Sequence, residues 1–181
     1  MFTKNCIGMI AVLALPLLVT TGRSADDAGK AAKEFTSKVG GFSAAFPGTP
    51  KESKEPIAKD GTIQTQYTLD GPTGAYLVSF QDNPNLAKAG KVEREKALQA
   101  AQDAVQRGTQ GKLLRSKEIT LDKVHPGREY EIQASHGGGG LFRSRAYLVK
   151  DRLYQVIVVG QKDFATSKEA DRFLESFKLV K

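Results

Sequence analysis

Apolar residues along the chain switch between two periods, and each switch marks an element. Phe42, Ala44 and Phe46 alternate with Gly41, Ser43 and Ala45, the period of a half-buried strand, and Pro47-Gly48 stops it. Lys51 to Gly61 is charged, contains Pro56, and reads as a loop. Ile63, Thr65, Tyr67 and Leu69 then share one face of a second strand, with Thr62, Gln64, Gln66 and Thr68 on the other. Asp70-Gly71-Pro72 turns the chain into a third strand, where Tyr76, Val78 and Phe80 share a face.

Between Pro84 and Gly90 the period lengthens. Across Lys91 to Arg107, Ala97, Leu98, Ala101, Ala104 and Val105 recur at intervals of three and four, which predicts a helix that packs on the domain's own sheet and ends at Gly108. Strand-like stretches resume at Lys112 to Leu121, Gly127 to Ala134, Leu141 to Lys150 and Arg152 to Gly160. A last helix, from about Ser167 to Ser176, turns Ala170, Phe173, Leu174 and Phe177 towards the core. Tyr154 to Val159 is almost unbroken apolar sequence, the mark of a central strand covered on both faces. Three strands, a helix, four strands and a helix, joined by short turns, predict a single α+β domain: a central antiparallel β-sheet covered by helices.

The start of the chain follows a different pattern. Lys4 precedes an apolar run from Ile7 to Val19, and small residues follow at Gly22 and Ser24. This is the layout of a secretory signal peptide, residues 1–24, with cleavage after Ser24 or a residue or two away. An uncleaved amphipathic anchor is the competing reading, and the apolar run is short for it. Export predicts a periplasmic or secreted protein with no stable membrane span once the signal is gone. Residues 25–38, rich in Ala, Lys and Asp, read as a leader or a short N-terminal helix, ahead of the globular domain at 39–181.

Composition narrows the class. Cys6, the one cysteine, lies before the apolar run and leaves with the signal, so no disulfide is available even in an oxidising compartment. Roughly 155 residues remain, enough for one hydrophobic core. The whole chain carries 27 Lys plus Arg against 20 Asp plus Glu, and removal of Lys4 and Arg23 leaves a modest positive surplus. That surplus suits an anionic surface and is equally an ordinary solubility charge. Export argues against nucleic acid as the partner.

Several residues together resemble a known family. They are Gly41-Phe42-Ser43 to Phe46-Pro47-Gly48, then Arg145-Ala146-Tyr147, Leu153-Tyr154-Gln155-Val156 and the ending Phe173-Leu174-Glu175-Ser176-Phe177-Lys178-Leu179. The pattern, spanning residues 39 to 181, resembles a small exported bacterial protein of the PsbP-like superfamily. The resemblance implies an α/β/α sandwich and a non-catalytic role in binding or assembly. Its motifs are packing residues, so no functional residue and no photosynthetic role comes with it.

Catalytic grammar is sparse. His125 and His136 are the two histidines; neither has a His or Cys at ligand spacing, so no metal and no cofactor is expected. His125, before Pro126-Gly127, reads as a turn residue. Gly137 to Gly140 leads into a strand and lacks the Lys-Ser/Thr ending and following helix of a phosphate cradle, so it reads as a hairpin loop. No Gly-x-Ser-x-Gly elbow supports the serines. The sequence therefore predicts a non-catalytic binding or assembly module of the cell envelope, its partner an envelope protein or an anionic surface. A hydrolase whose site forms only in the fold is the alternative.

One constellation stands out in the hairpin around the glycines. Alternation puts Glu129 and Glu131 on one face of its first strand and Arg143 and Arg145 on one face of its second. A turn near Gly137 sets Glu131 opposite Arg143 and Glu129 opposite Arg145, with Tyr130 and Ile132 towards the core. Two roles fit: a cross-strand charge ladder that fixes register, or a face, extended by Tyr147 and Tyr154, on which a partner or anionic ligand docks.

Overall fold

A computed structural model of the chain describes residues 33–57, 62–135 and 139–180. Its strands are β1 (Lys33–Ser37), β2 (Phe42–Phe46), β3 (Lys51–Pro56), β4 (Ile63–Gly71), β5 (Gly74–Asp82), β6 (Lys112–Leu121), β7 (His125–Gln133), β8 (Leu141–Val149), β9 (Arg152–Gly160) and β10 (Lys178–Leu179). Its helices are α1 (Lys91–Thr109), α2 (Lys162–Ala165) and α3 (Lys168–Ser176). The segment read as a signal peptide lies outside the described residues, as do residues 25–32 and His136, Gly137 and Gly138.

Seven strands pair antiparallel in the order β3-β4-β5-β9-β8-β7-β6. The apolar run at Tyr154 to Val159 takes the middle place, with Leu153 to Val158 all buried. On one face α1 packs over β7 and β8, where Leu98, Ala101 and Val105 meet Tyr130, Ile132, Ala146 and Leu148. The stripe that predicted the helix is the stripe it buries.

The opposite face carries the larger core. Its cover is α3 together with a second sheet, β1-β2-β10, rather than helices alone. Phe42 and Phe46 are fully buried between the layers, and Phe173 and Phe177 reach them from α3 and its C-cap. The expected antiparallel α+β architecture is present, but an α/β/α sandwich is too simple a description of it. The physical reason lies in β2: both its edges are paired, to β1 and to β10, so its aromatic face becomes part of a covering layer.

Other expectations change locally. Lys51 to Gly61 is not a loop throughout, because Lys51–Pro56 pairs with β4 as an edge strand exposed at every residue. Within the segment read as a leader or helix, Lys33–Ser37 is a strand, with Phe35 packed against the core. Helix α1 runs past Gly108 to Thr109, and its C-cap is Gln110 in the left-handed region. His125 is the first residue of β7 rather than a turn residue. The start of α3 follows the sequence: Ser167 caps it by accepting from the Ala170 N–H at 3.2 Å.

Candidate functional site

Three neighbouring strands bring the charged residues together. Register sets Arg115, Glu131 and Arg143 in one row across β6, β7 and β8, and Lys117, Glu129 and Arg145 in the next. Side chains two apart on a strand share a face, so the six form a belt on the face that α3 also covers. The ladder of Glu129 with Arg145 and Glu131 with Arg143 has the register the alternation predicts, and Tyr130 and Ile132 are fully buried on the other face.

Each carboxylate serves two strands. Arg145 Nε donates to Glu129 at 2.8 Å and Lys117 Nζ lies 3.1 Å from the same carboxylate. Glu131 takes Arg115 at 2.8 Å and Arg143 at 3.3 Å. Burial works to raise the Glu129 carboxyl, but the hydrogen bonds from Lys117 and Arg145 outweigh it and leave the group below its ordinary range.

The inner arginines also reach the helices. Arg143 Nη1 donates to the Ala165 carbonyl at 2.9 Å and to Asp171 at 2.8 Å, and Arg145 Nη1 donates to the Leu174 carbonyl. Ala165 ends α2 and Leu174 lies in the last turn of α3, where carbonyls have no partner within the helix. Both arginines therefore act as cationic C-terminal caps. Their side chains are only 17% and 22% exposed, whereas Arg115 and Lys117 on β6 are 51% and 54% exposed. The accessible end of the belt is β6.

Tyr147 and Tyr154 do not extend a docking face. Tyr147 is buried and stacks on Phe177 with ring centres 5.7 Å apart. Tyr154 is buried and donates its hydroxyl to the Gly40 carbonyl at 2.7 Å. Of the six residues marked out in the sequence, Glu129, Glu131, Arg143 and Arg145 come together as a ladder, and the two tyrosines belong to the core. Arg115 and Lys117 were missed. The signal for them was present, because they share a strand face with Ile119 and Leu121, both packed against the core.

Two further places hold charge. Arg152 grips Asp82 with two nitrogens, Nε to Oδ1 at 2.5 Å and Nη2 to Oδ2 at 2.8 Å, and donates from Nη1 to the Val39 and Gly40 carbonyls. Its guanidinium lies 4.6 Å from the Phe80 ring centre. The hydrogen bonds from Arg152 hold the Asp82 carboxyl below its ordinary range. A cavity of about 410 Å³ opens beside this pair, lined also by Gly41, Lys150 and Val180. A second, of about 620 Å³, lies between the start of α1 and β6–β7, lined by Lys91, Arg94, Glu95 and Glu118. Among the described residues, no three His, Cys, Asp or Glu side chains group as metal ligands, and no helix is long and apolar enough to cross a membrane.

No protein-family model matches the chain, and no curated protein matches it. Among solved structures, the chain is similar to cyanobacterial PsbP (CyanoP) from Synechocystis sp. PCC 6803, with 13% identity and a TM-score of 0.55 over 88% of this chain and 99% of that one. A protein of unknown function from Pseudomonas aeruginosa aligns with 12% identity and a TM-score of 0.43, over 68% of this chain and 91% of that one. The likeness to CyanoP is one of fold: the chain resembles PsbP-like proteins in architecture.

Proposed function

We propose that this chain is an exported, non-catalytic binding or assembly module of the cell envelope, acting on an envelope protein or an anionic surface. The observation that carries the reading is the division of labour in the charged belt. Its inner members are used to hold α2 and α3, while Arg115 and Lys117 stand half exposed at the sheet's edge. Arg115 and Lys117 also pair with Glu131 and Glu129, but unlike the inner arginines they keep a solvent-facing side from which to attract an anionic partner.

Glu52, Asp82 and Glu129 are held below the ordinary carboxyl range, each beside a cation that it pairs with, as in charges built into a scaffold. Lys4 ahead of the apolar segment at Ile7 to Val19, with small residues after it, supports export.

The test is affinity capture of the tagged, processed protein from its native envelope fraction, with N-terminal sequencing of the exported form. The expected result is processing near Ser24 and recovery of a partner that is lost when Arg115 and Lys117 are both changed to Gln. Retention of the full-length chain in the cytoplasm, or a capture indistinguishable from an unrelated tagged protein, overturns the proposal.

A further inference from the structure

Strand β6 is ten residues long and ends the seven-stranded sheet. Among the described residues, β7 is the one strand that pairs with it. Such an edge presents backbone N–H and C=O groups that another strand can take up. The belt gives this edge a sign. Across the sheet the rows run cation, carboxylate, cation: Arg143 and Arg145 on β8, Glu131 and Glu129 on β7, Arg115 and Lys117 on β6. Four cations share Glu129, Glu131 and, through Arg143, Asp171, and the series stops at the rim on its positive member.

We propose that the outer edge of β6 receives an extended acidic segment of a partner protein as an eighth, added strand. Carboxylates at alternate positions of that segment would face Arg115 and Lys117 and continue the alternation of charge. This rests on the reading of the chain as a binding module and names the partner's chemistry. Main-chain bonding supplies affinity in strand addition, and side chains at every second position supply specificity. The irregularity between Leu113 and Arg115 twists the edge there, so the receptive stretch runs from Arg115 to Leu121. Paired antiparallel, like every strand of this sheet, the segment meets Ile119, which packs against the core, before Lys117 and Arg115, so an apolar residue suits the position before the acids.

A second copy of this chain does not fit the edge. The belt-side residues of β6 over this stretch are Arg115, Lys117, Ile119 and Leu121, so the β6 of a second copy brings no carboxylate to meet the two cations. Nor does the far edge of the sheet offer the right pattern. On β3, Glu52 and Lys54 share the belt-side face and pair with each other at 3.0 Å, so two acids do not stand there at alternate positions. Edge cations can also serve only to keep strands away, and the experiment separates that role from recruitment.

The probe is a blocked nine-residue synthetic peptide with Glu alternating with Thr and one Val before the acids, with a Lys-for-Glu counterpart as control. Binding to the processed full chain is measured by fluorescence anisotropy, and amide exchange by NMR. The acidic peptide is expected to bind, to slow exchange of amides within Arg115–Leu121, and to lose at least tenfold in affinity in Lys117→Glu, where the basic peptide should gain. Lys117→Gln, which adds no repulsion to Glu129, keeps the test readable if Lys117→Glu unfolds, and should weaken the acidic peptide severalfold. Absence of binding, equal binding of both peptides, or binding without protection at β6 overturns the proposal. So does binding of phosphatidylglycerol vesicles, with the same dependence on Lys117, in place of the peptide. If the peptide fails while capture still recovers a partner that Arg115 and Lys117 control, the strand-addition assignment falls and the binding-module reading stands.

Discussion

Arg145 fastens strand β8 to helix α3, its Nη1 donating to the Leu174 carbonyl at 3.0 Å while its Nε holds Glu129. One side chain thus serves a helix end and a cross-strand ion pair, both largely shielded from solvent. Removal of the guanidinium leaves a part-buried carboxylate and an uncapped carbonyl. Arg145→Ala should cost about 1–3 kcal/mol, with Lys117 still present to limit the loss. In a urea-denaturation double-mutant cycle with Glu129→Gln, the two losses should be less than additive. Strict additivity would show that the pair contributes nothing.

Phe173 is fully buried where α3 meets both sheets, 4.8 Å from the Phe46 ring centre and 5.2 Å from that of Tyr76. Aromatic edges on two sides leave little room for the site to collapse. Phe173→Ala should lower stability by about 3–5 kcal/mol, a large share of what a domain of this size has. The urea midpoint should fall with the slope unchanged. A midpoint equal to that of the parent would mean α3 is dispensable to the core.

What the sequence made legible follows from how strongly each residue's period was written. Strand β5, the apolar run of β9 and the stripe of α1 bury the residues that their pattern marks out, whereas in β4 Thr65 and Tyr67 are buried and Ile63, at the strand's start, is exposed. Strand β3 has no such record, because Lys51 to Pro56 is exposed at every residue and edge pairing is made by backbone alone. Phe35 is the one large apolar residue of β1, too little to set a period. Among the site residues, sequence fixed the strand faces of Glu129, Glu131, Arg143 and Arg145 but not what covers them. Burial of Tyr147 under Phe177, and capture of helix carbonyls by the arginines, depend on the docking of α3, which no local pattern encodes.

Acid should weaken the fold through the same ion pairs. Glu129 and Asp82 are held below their ordinary values of 4.5 and 3.8. A carboxyl with a lowered folded pKa adds stability that is fully present above its unfolded pKa and is lost as pH falls through the folded one. Stability should be level from neutral pH down to about 5 and then decline through 4 and below. Urea midpoints measured at intervals from pH 7 to pH 3 check this. Glu129→Gln should flatten part of the decline, and a parent profile that stays level to pH 3 would remove these pairs from the account.

Gly74 and Gly160 pair directly across β5 and β9, at the end of the sheet where α2 turns over it. The ring of Phe164 lies on both: a Cβ built on either glycine meets it, and one on Gly74 also runs into the Val159 carbonyl oxygen. Phe164 in turn packs against Tyr76, with ring centres 5.0 Å apart, so the glycines admit an aromatic that would otherwise have nowhere to lie. Such a ring shields backbone that glycine leaves bare. The obstacle at Gly74 is partly backbone, which cannot swing aside as a side chain can. Gly74→Ala should therefore destabilise by about 1–3 kcal/mol through overpacking, although alanine is otherwise the less costly residue to order. Combining it with Phe164→Leu should recover part of the loss, because a smaller side chain relieves one of the two clashes. Thermal and urea denaturation of the single and double variants decide the matter. A Gly74→Ala protein as stable as the parent would show that this end of the sheet gives way to the added methyl group.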